Sequence, residues 1–282
     1  MASYIRAESI EDAVRHLASG PRVIVAGCTD YYCRPQARPW DDAILDITGI
    51  GEARGIVDLD EEVRIGALTT WTDLARADLP AQFDALRAAA RQVGGVQIQN
   101  TGTIGGNLCN ASPAADGVPA LLILDALLQL RSAAGERVLP LDEFIVGNRQ
   151  TRIRPDELMC ALLVRKRRGR HASTFLKLGA RAYQVISIAM VAALLEADGD
   201  GRIGAAAVAV GACSAVARRL PALEAALAGQ SLGGAPLSTL LTDAHLSPLA
   251  PLDDVRGTAA YRLDAARTLI ARALDDLQRR LA

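Results

Sequence analysis

The sequence predicts an α+β chain of two mixed domains, and three observations carry that reading. Its first 165 residues alternate short β-branched runs with amphipathic helical stretches. A basic segment, RKRRGR at 165–170, then breaks the pattern. Beyond it, two long apolar runs joined by DGDG lead to a helical stretch over 258–281. Strands that mix with helices of matching length call for packed layers of both, and the basic break places the domains at 1–165 and 172–282.

The elements follow in order. Ser9 with Asp12 three residues on is a capping pattern, and Ile10, Val14 and Leu17 then share one helical face until Gly20. Residues 22–26 (RVIVA) read as a strand that breaks at Gly27, and 42–48 (DAILDIT) read as another. Residues 55–59 and 62–66 form a hairpin turned at Asp60 and Glu61. Thr70 caps a helix over WTDLARA, and 83–93 is a second amphipathic helix. The following 99–116, QNTGTIGGNLCNASPAAD, reads as an open glycine loop; Ser112 and Pro113 then start a helix over 113–124. Residues 127–132 and 137–141 make a further hairpin. In the second domain a strand near 174–178 precedes the hairpin 185–197/202–213, whose DGDG turn is a strong signal, and 221–228 is helical.

Composition narrows the function. Half of the 282 residues are hydrophobic and 4% are aromatic, so the cores are aliphatic and alanine-rich. A formal net charge of -1 provides no field for nucleic acid or an anionic membrane. The start MASYIRAESIEDAV lacks the marks of a signal peptide, and no apolar run reaches the roughly 20 residues of a membrane span; a soluble, cytoplasmic protein is expected. Five scattered cysteines are not a secreted disulfide framework. Cys28 and Cys33 lack further thiols at ligand spacing, so no metal site is expected in this chain, and His16, His171 and His245 stand isolated.

Two glycine-bearing stretches, VAGCTDYY at 25–32 and TGTIGGN at 101–107, stand out. Each follows regular structure and offers consecutive amides with hydroxyls beside them, which suits the oxygens of a diphosphate; each can equally be a tight turn. No G-x-x-x-x-G-K-[ST], no G-x-G-x-x-G and no nucleophile elbow is present, which argues against P-loop hydrolases, Rossmann dinucleotide sites and triad hydrolases.

TIGGNLCNASPAADGVPALLILDA at 103–126, with VAGCTD and the later FLKLGAR, resembles the FAD-binding subunit of the molybdenum hydroxylases, the family of xanthine dehydrogenase and carbon monoxide dehydrogenase. The order of elements agrees over nearly the whole chain. The resemblance implies a two-lobed FAD-binding domain of the vanillyl-alcohol-oxidase/PCMH-like type, with lobes of about 1–55 and 56–165, followed by a smaller C-terminal domain of the CO dehydrogenase flavoprotein type. It implies that Ala26, Gly27, Cys28, Thr29, Asp30 and Tyr31 carry the FAD pyrophosphate, and that Thr103, Gly105, Gly106 and Asn107, with Cys109 beside them, complete the cradle. Asp116 would lie near the adenosine end, Leu158 or Met159 against the ring system, and Lys177 near the isoalloxazine. Tyr183 would shield one flavin face or serve as a core tyrosine, and Leu158 and Met159 have the same core alternative.

The chain departs from the family pattern in three places. Cys28 stands where many members carry a second glycine, Gln99 where an arginine is common, and no histidine in either loop could attach the flavin covalently. The basic 165–170 is read as a solvated loop in preference to a contact for an acidic partner.

Substrate oxidation would then occur on a molybdenum cofactor in a large partner subunit. Electrons would pass through [2Fe–2S] clusters of a small subunit to FAD on this chain, and on to an external acceptor, in a complex expected as a dimer of heterotrimers. The alternatives are a stand-alone flavin reductase of the related fold and an assembly protein without flavin.

Overall fold

The computed structural model describes residues 3–33 and 42–282. The first lobe is a three-stranded parallel sheet in the order β1-β3-β2, from β1 (Ser3–Arg6), β2 (Val23–Val25) and β3 (Ala43–Asp46). Parallel strands need a crossover, and helix α1 (Ile10–Ala18) supplies it between β1 and β2. The Ser9 hydroxyl accepts from the Asp12 amide as expected, and Ile10, Ala13, Val14 and Leu17 pack inward on Leu45 and Ile47.

The second lobe is a five-stranded antiparallel sheet in the order β4-β5-β10-β6-β7. Its strands are β4 (Ile56–Asp58), β5 (Glu62–Gly66), β6 (Leu127–Ser132), β7 (Gly135–Pro140) and β10 (Leu158–Arg165), with the small hairpin β8 (Ile145–Gly147) and β9 (Gln150–Thr151) at one side. Helices α2 (Trp71–Arg76), α3 (Asp84–Gln92), α4 (Val96–Thr101), α5 (Ile104–Asn110) and α6 (Gly117–Leu122) all fall between β5 and β6, and α7 (Leu141–Phe144) follows β7. Thr70 forms a full capping box with Asp73 at the start of α2.

Two expectations need correction. The stretch 99–116 is not an open loop, because α4 ends and α5 begins inside it, with Thr103 accepting the Gly106 amide as the cap of α5. The helix expected over 113–124 starts four residues late, at Gly117. Ser112 turns the chain by accepting from the Ala114 amide, and the Pro113 carbonyl accepts from the Ala212 amide of the second domain, so it is not available to a helix.

The second domain is the sheet β11-β12-β13-β14, from β11 (Arg170–Leu178), β12 (Ala189–Ala197), β13 (Ile203–Gly211) and β14 (Arg218–Arg219). Met190, Ala192 and Leu194 of β12 belong to the core formed with α3 and α6. The intervening Val191, Ala193 and Leu195 face helices α8 (Pro221–Leu227) and α9 (Ala259–Leu281). Burial on both faces explains why β12 reads as an unbroken apolar run.

The basic 165–170 is a largely exposed link, as expected of a solvated loop, but its charges are paired. Lys166 pairs with Asp58 and the exposed Arg168 with Glu61, both acids of the first domain, while Arg167 reaches across the joint, to Asp125 on one side and Glu196 on the other. Sequence order hides such pairs, since every acid involved lies far from the basic run.

Candidate functional site

A cleft of about 510 Å³ opens between the two lobes of the first domain, a size within the ~300–1,000 Å³ of small-molecule sites. The two glycine stretches meet there. A Cβ on Gly27 would lie 1.9 Å from the Thr101 carbonyl oxygen, and one on Gly102 would lie 3.4 Å from the Thr29 hydroxyl. Only a bare backbone lets the segments approach this closely.

Their chemistry differs. In the first segment Cys28 takes φ 54°, the left-handed region, and none of the described residues accepts from the amides of Gly27, Cys28 or Thr29. In the second, Ile104 donates to Thr69 O, Gly105 to Ala67 O, Gly106 to Thr103 Oγ1 and Asn107 to Thr103 O. Its amides are therefore engaged within the protein, against the expectation that both segments present donors. What it offers is room: a Cβ on Gly106 would meet only Thr103 Oγ1, at 2.9 Å, while one on Gly105 would press within 2.7 Å of Ala67 O. Asn107 Oδ1 is buried without a partner and so keeps an unused acceptor in the cleft wall.

Thirteen of the residues singled out from the sequence line this one cleft: Ala26, Gly27, Cys28, Thr29, Asp30, Tyr31, Thr103, Gly105, Gly106, Asn107, Cys109, Leu158 and Met159. Leu158 and Met159 both reach it because β10 carries a register shift between Met159 and Ala161, beside the site, as bulges often do. Burial pushes the Cys28 thiol up, and Cys109 lines the cleft as an exposed residue. A neutral thiol at Cys28 fits a binding wall and not a nucleophile.

Three residues lie apart from the lining. Lys177 Nζ is 2.6 Å from Asp116 Oδ2 and 3.2 Å from the Gln92 carbonyl, and Ser187 donates to Asp116 Oδ1 at 2.6 Å. Burial pushes the Asp116 carboxyl up against the pull of Lys177 and Ser187. A pair in direct contact cannot mark opposite ends of an extended dinucleotide, so the assignment of Asp116 to the adenosine end and Lys177 to the ring end does not hold as a pair. Tyr183 is 75% exposed on the turn after β11, which excludes the core alternative.

Other lining residues went unread. Trp71 and Ile98 give the cleft an apolar wall, and Arg22, Arg154 and Glu157 bring charge to it. The Arg137 guanidinium, 2.6 Å from Glu157 Oε1, holds that carboxyl below the usual range. Nothing local in the sequence signals these residues, because each arrives from a different element. Among the described residues no group of three or more His, Cys, Asp or Glu is placed to hold a metal, and no helix is long and apolar enough to cross a membrane.

Residues 1–164 match the family described as the FAD binding domain in molybdopterin dehydrogenase. The chain belongs to this family. Residues 174–277 match the CO dehydrogenase flavoprotein C-terminal domain, so the α+β fold is that of the molybdopterin dehydrogenase flavoproteins. The xanthine dehydrogenase FAD-binding subunit of Escherichia coli O157:H7 is 31% identical over 98% of this chain and 95% of its own. The carbon monoxide dehydrogenase medium chain of Afipia carboxidovorans is 29% identical over 96% and 95%. A solved carbon monoxide dehydrogenase from Hydrogenophaga pseudoflava, in a form lacking the Mo-pyranopterin moiety, superposes with a TM-score of 0.92 at 27% identity, covering 99% of this chain and 98% of that one. The family places the chain among the flavoprotein subunits of oxidoreductases, with FAD as its cofactor.

The cleft suits that cofactor on its own evidence. It combines amides at Gly27, Cys28 and Thr29 that no described residue accepts from, open space over Gly106 and, among the described residues, an unpartnered acceptor at Asn107.

Proposed function

We propose that this chain is the electron-transfer subunit of a molybdenum hydroxylase or dehydrogenase and holds FAD in the interlobe cleft. Bound there, FAD would take electrons from [2Fe–2S] clusters of a small partner subunit and deliver them to an external acceptor, while a large subunit with the molybdenum cofactor oxidises the substrate. The observation that carries the reading is the convergence of the two glycine segments, one with unclaimed amides and the other with open backbone.

In this reading Ala26 to Tyr31 hold the diphosphate through main-chain donors, which favour negative charge without a lysine or arginine side chain. Gly106 and Thr103 leave it space, Asn107 accepts from a cofactor donor, and Cys109, Leu158 and Met159 exclude water. Lys177 and Asp116 act together, as a fixed dipole behind α6, and Tyr183 lies on an exposed turn from which it could cover a bound ring. The chain divides into 1–165, with lobes of about 1–55 and 56–165, and 172–282. The complex is a cytoplasmic dimer of heterotrimers.

The cleft's own acids support electron transfer over a self-contained reductase. Asp30 pairs with Arg149 and Glu157 with Arg137, and no histidine lines the cleft among the described residues, so no acid is left poised to protonate a second substrate. Purification of the chain with its native partners tests the whole. The expected result is a visible flavin spectrum and two co-purifying subunits, one with iron–sulfur absorbance. A colourless complex would point to the assembly protein, and a lone yellow chain to the reductase.

A further inference from the structure

The tip of the small β8–β9 hairpin brings an arginine to the back of the cleft. Arg149 adopts φ 55°, and its amide donates at 2.9 Å to the carbonyl of Ala111, itself at φ 47° where α5 ends. Its guanidinium Nη1 lies 2.5 Å from Asn110 Oδ1 and 3.2 Å from Asp30 Oδ2. Asp30 belongs to the first glycine segment and Asn110 to the last turn of α5, and both line the cleft, whereas Arg149 stands behind them.

A non-glycine residue persists in the left-handed region only where its surroundings fix it. Here that fixation places one guanidinium across two segments that both line the cleft, the first glycine segment and the end of α5. Both contacts are about half exposed, so solvent limits this charge-assisted tie to about 1 kcal/mol or less. We infer that Arg149 is a positioning residue for the dinucleotide: it latches the first glycine segment to the end of α5 and so keeps the free amides of 27–29 aimed at the diphosphate. It touches no reacting atom, and its effect passes through Asp30 and Asn110. The inference rests on FAD occupying the cleft.

The test follows the release of FAD from the loaded full-length chain, by flavin fluorescence, in a cycle of Arg149→Ala, Asp30→Asn and the double variant. The expected result is release about threefold faster in Arg149→Ala, which corresponds to about 0.7 kcal/mol, with an unchanged melting temperature for the FAD-free chain. Asp30→Asn alone should speed release about twofold, and the double variant should be no faster than Arg149→Ala, because both changes cut one tie. Arg149→Lys should fall between wild type and Arg149→Ala, since an ammonium cannot span both partners as the planar guanidinium does.

Effects that multiply in the double variant, or a release rate in Arg149→Ala equal to wild type, would overturn the latch. Should Arg149→Ala not fold, the same cycle with Arg149→Lys carries the test. A wild-type chain that takes up no FAD at all fails the functional reading itself, and so is told apart from failure of the latch.

Discussion

The two glycine segments look alike in sequence and are built for opposite purposes. The first, at 25–31, breaks away from β2 with amides at Gly27, Cys28 and Thr29 that no described residue satisfies and with a left-handed Cys28. The second, at 103–107, winds into α5 with its amides paired to Ala67, Thr69 and Thr103. One segment offers donors, and the other offers absence of bulk. Glycine content alone therefore says that something comes close to the backbone, and the accounting of amides says whether it is bound by them.

Two substitutions strain this contrast most. Gly27→Ala puts a methyl group 1.9 Å from the Thr101 carbonyl oxygen, a contact that backbone must move to relieve. It should cost about 3 kcal/mol or more of stability and should also abolish FAD retention, since the segments would part. A Gly27→Ala chain of wild-type melting temperature would show that the close approach is not required. Gly106→Asp acts in the opposite manner. Its side chain meets only Thr103 Oγ1 before entering the cleft, so the fold should survive. FAD affinity should fall about a hundredfold or more, near 3 kcal/mol, as a carboxylate stands against a diphosphate with little water to screen it. Flavin retained in Gly106→Asp would remove the second segment from the site.

The contrast also marks what the sequence could and could not reveal. Strands, the Ser9 and Thr70 caps and the DGDG hairpin were legible because their signals are local: a capping hydroxyl, a turn dipeptide, a period of two. Both glycine segments were legible as a place of close approach for the same reason. That 99–116 holds helices was not, since three glycines and polar residues disfavour a helix on propensity, and Thr103, Ala67 and Thr69 override it by tertiary pairing. The contact of Asp116 with Lys177 spans 61 residues, and that of Arg149 with Asp30 spans 119, so neither leaves a trace in spacing.

Smaller changes sharpen the comparison at each segment's own anchor. Thr103→Ala removes the acceptor for the Gly106 amide at the start of α5 and should cost about 1 kcal/mol, the usual worth of such a cap. FAD release should quicken with it, because Gly106 would no longer be held. An unchanged melting temperature would mean that pairing to Ala67 and Thr69 alone secures the helix.

Cys28→Gly should have the smallest effect and the opposite sign. The left-handed backbone at φ 54° costs a side chain about 1 kcal/mol, while glycine there gains unfolded-state freedom that takes back about 0.5 kcal/mol. The balance is a stabilisation of about 0.5 kcal/mol, with FAD bound at least as well because the segment opens further. Cys28→Ala separates the two contributions, since alanine keeps the backbone penalty and loses the thiol that donates to the Ala26 carbonyl. If the alanine variant matches the glycine variant in melting temperature, the thiol and not the backbone governs this position. If the glycine variant alone gains, the cysteine is a strained substitute at a position whose geometry asks for glycine.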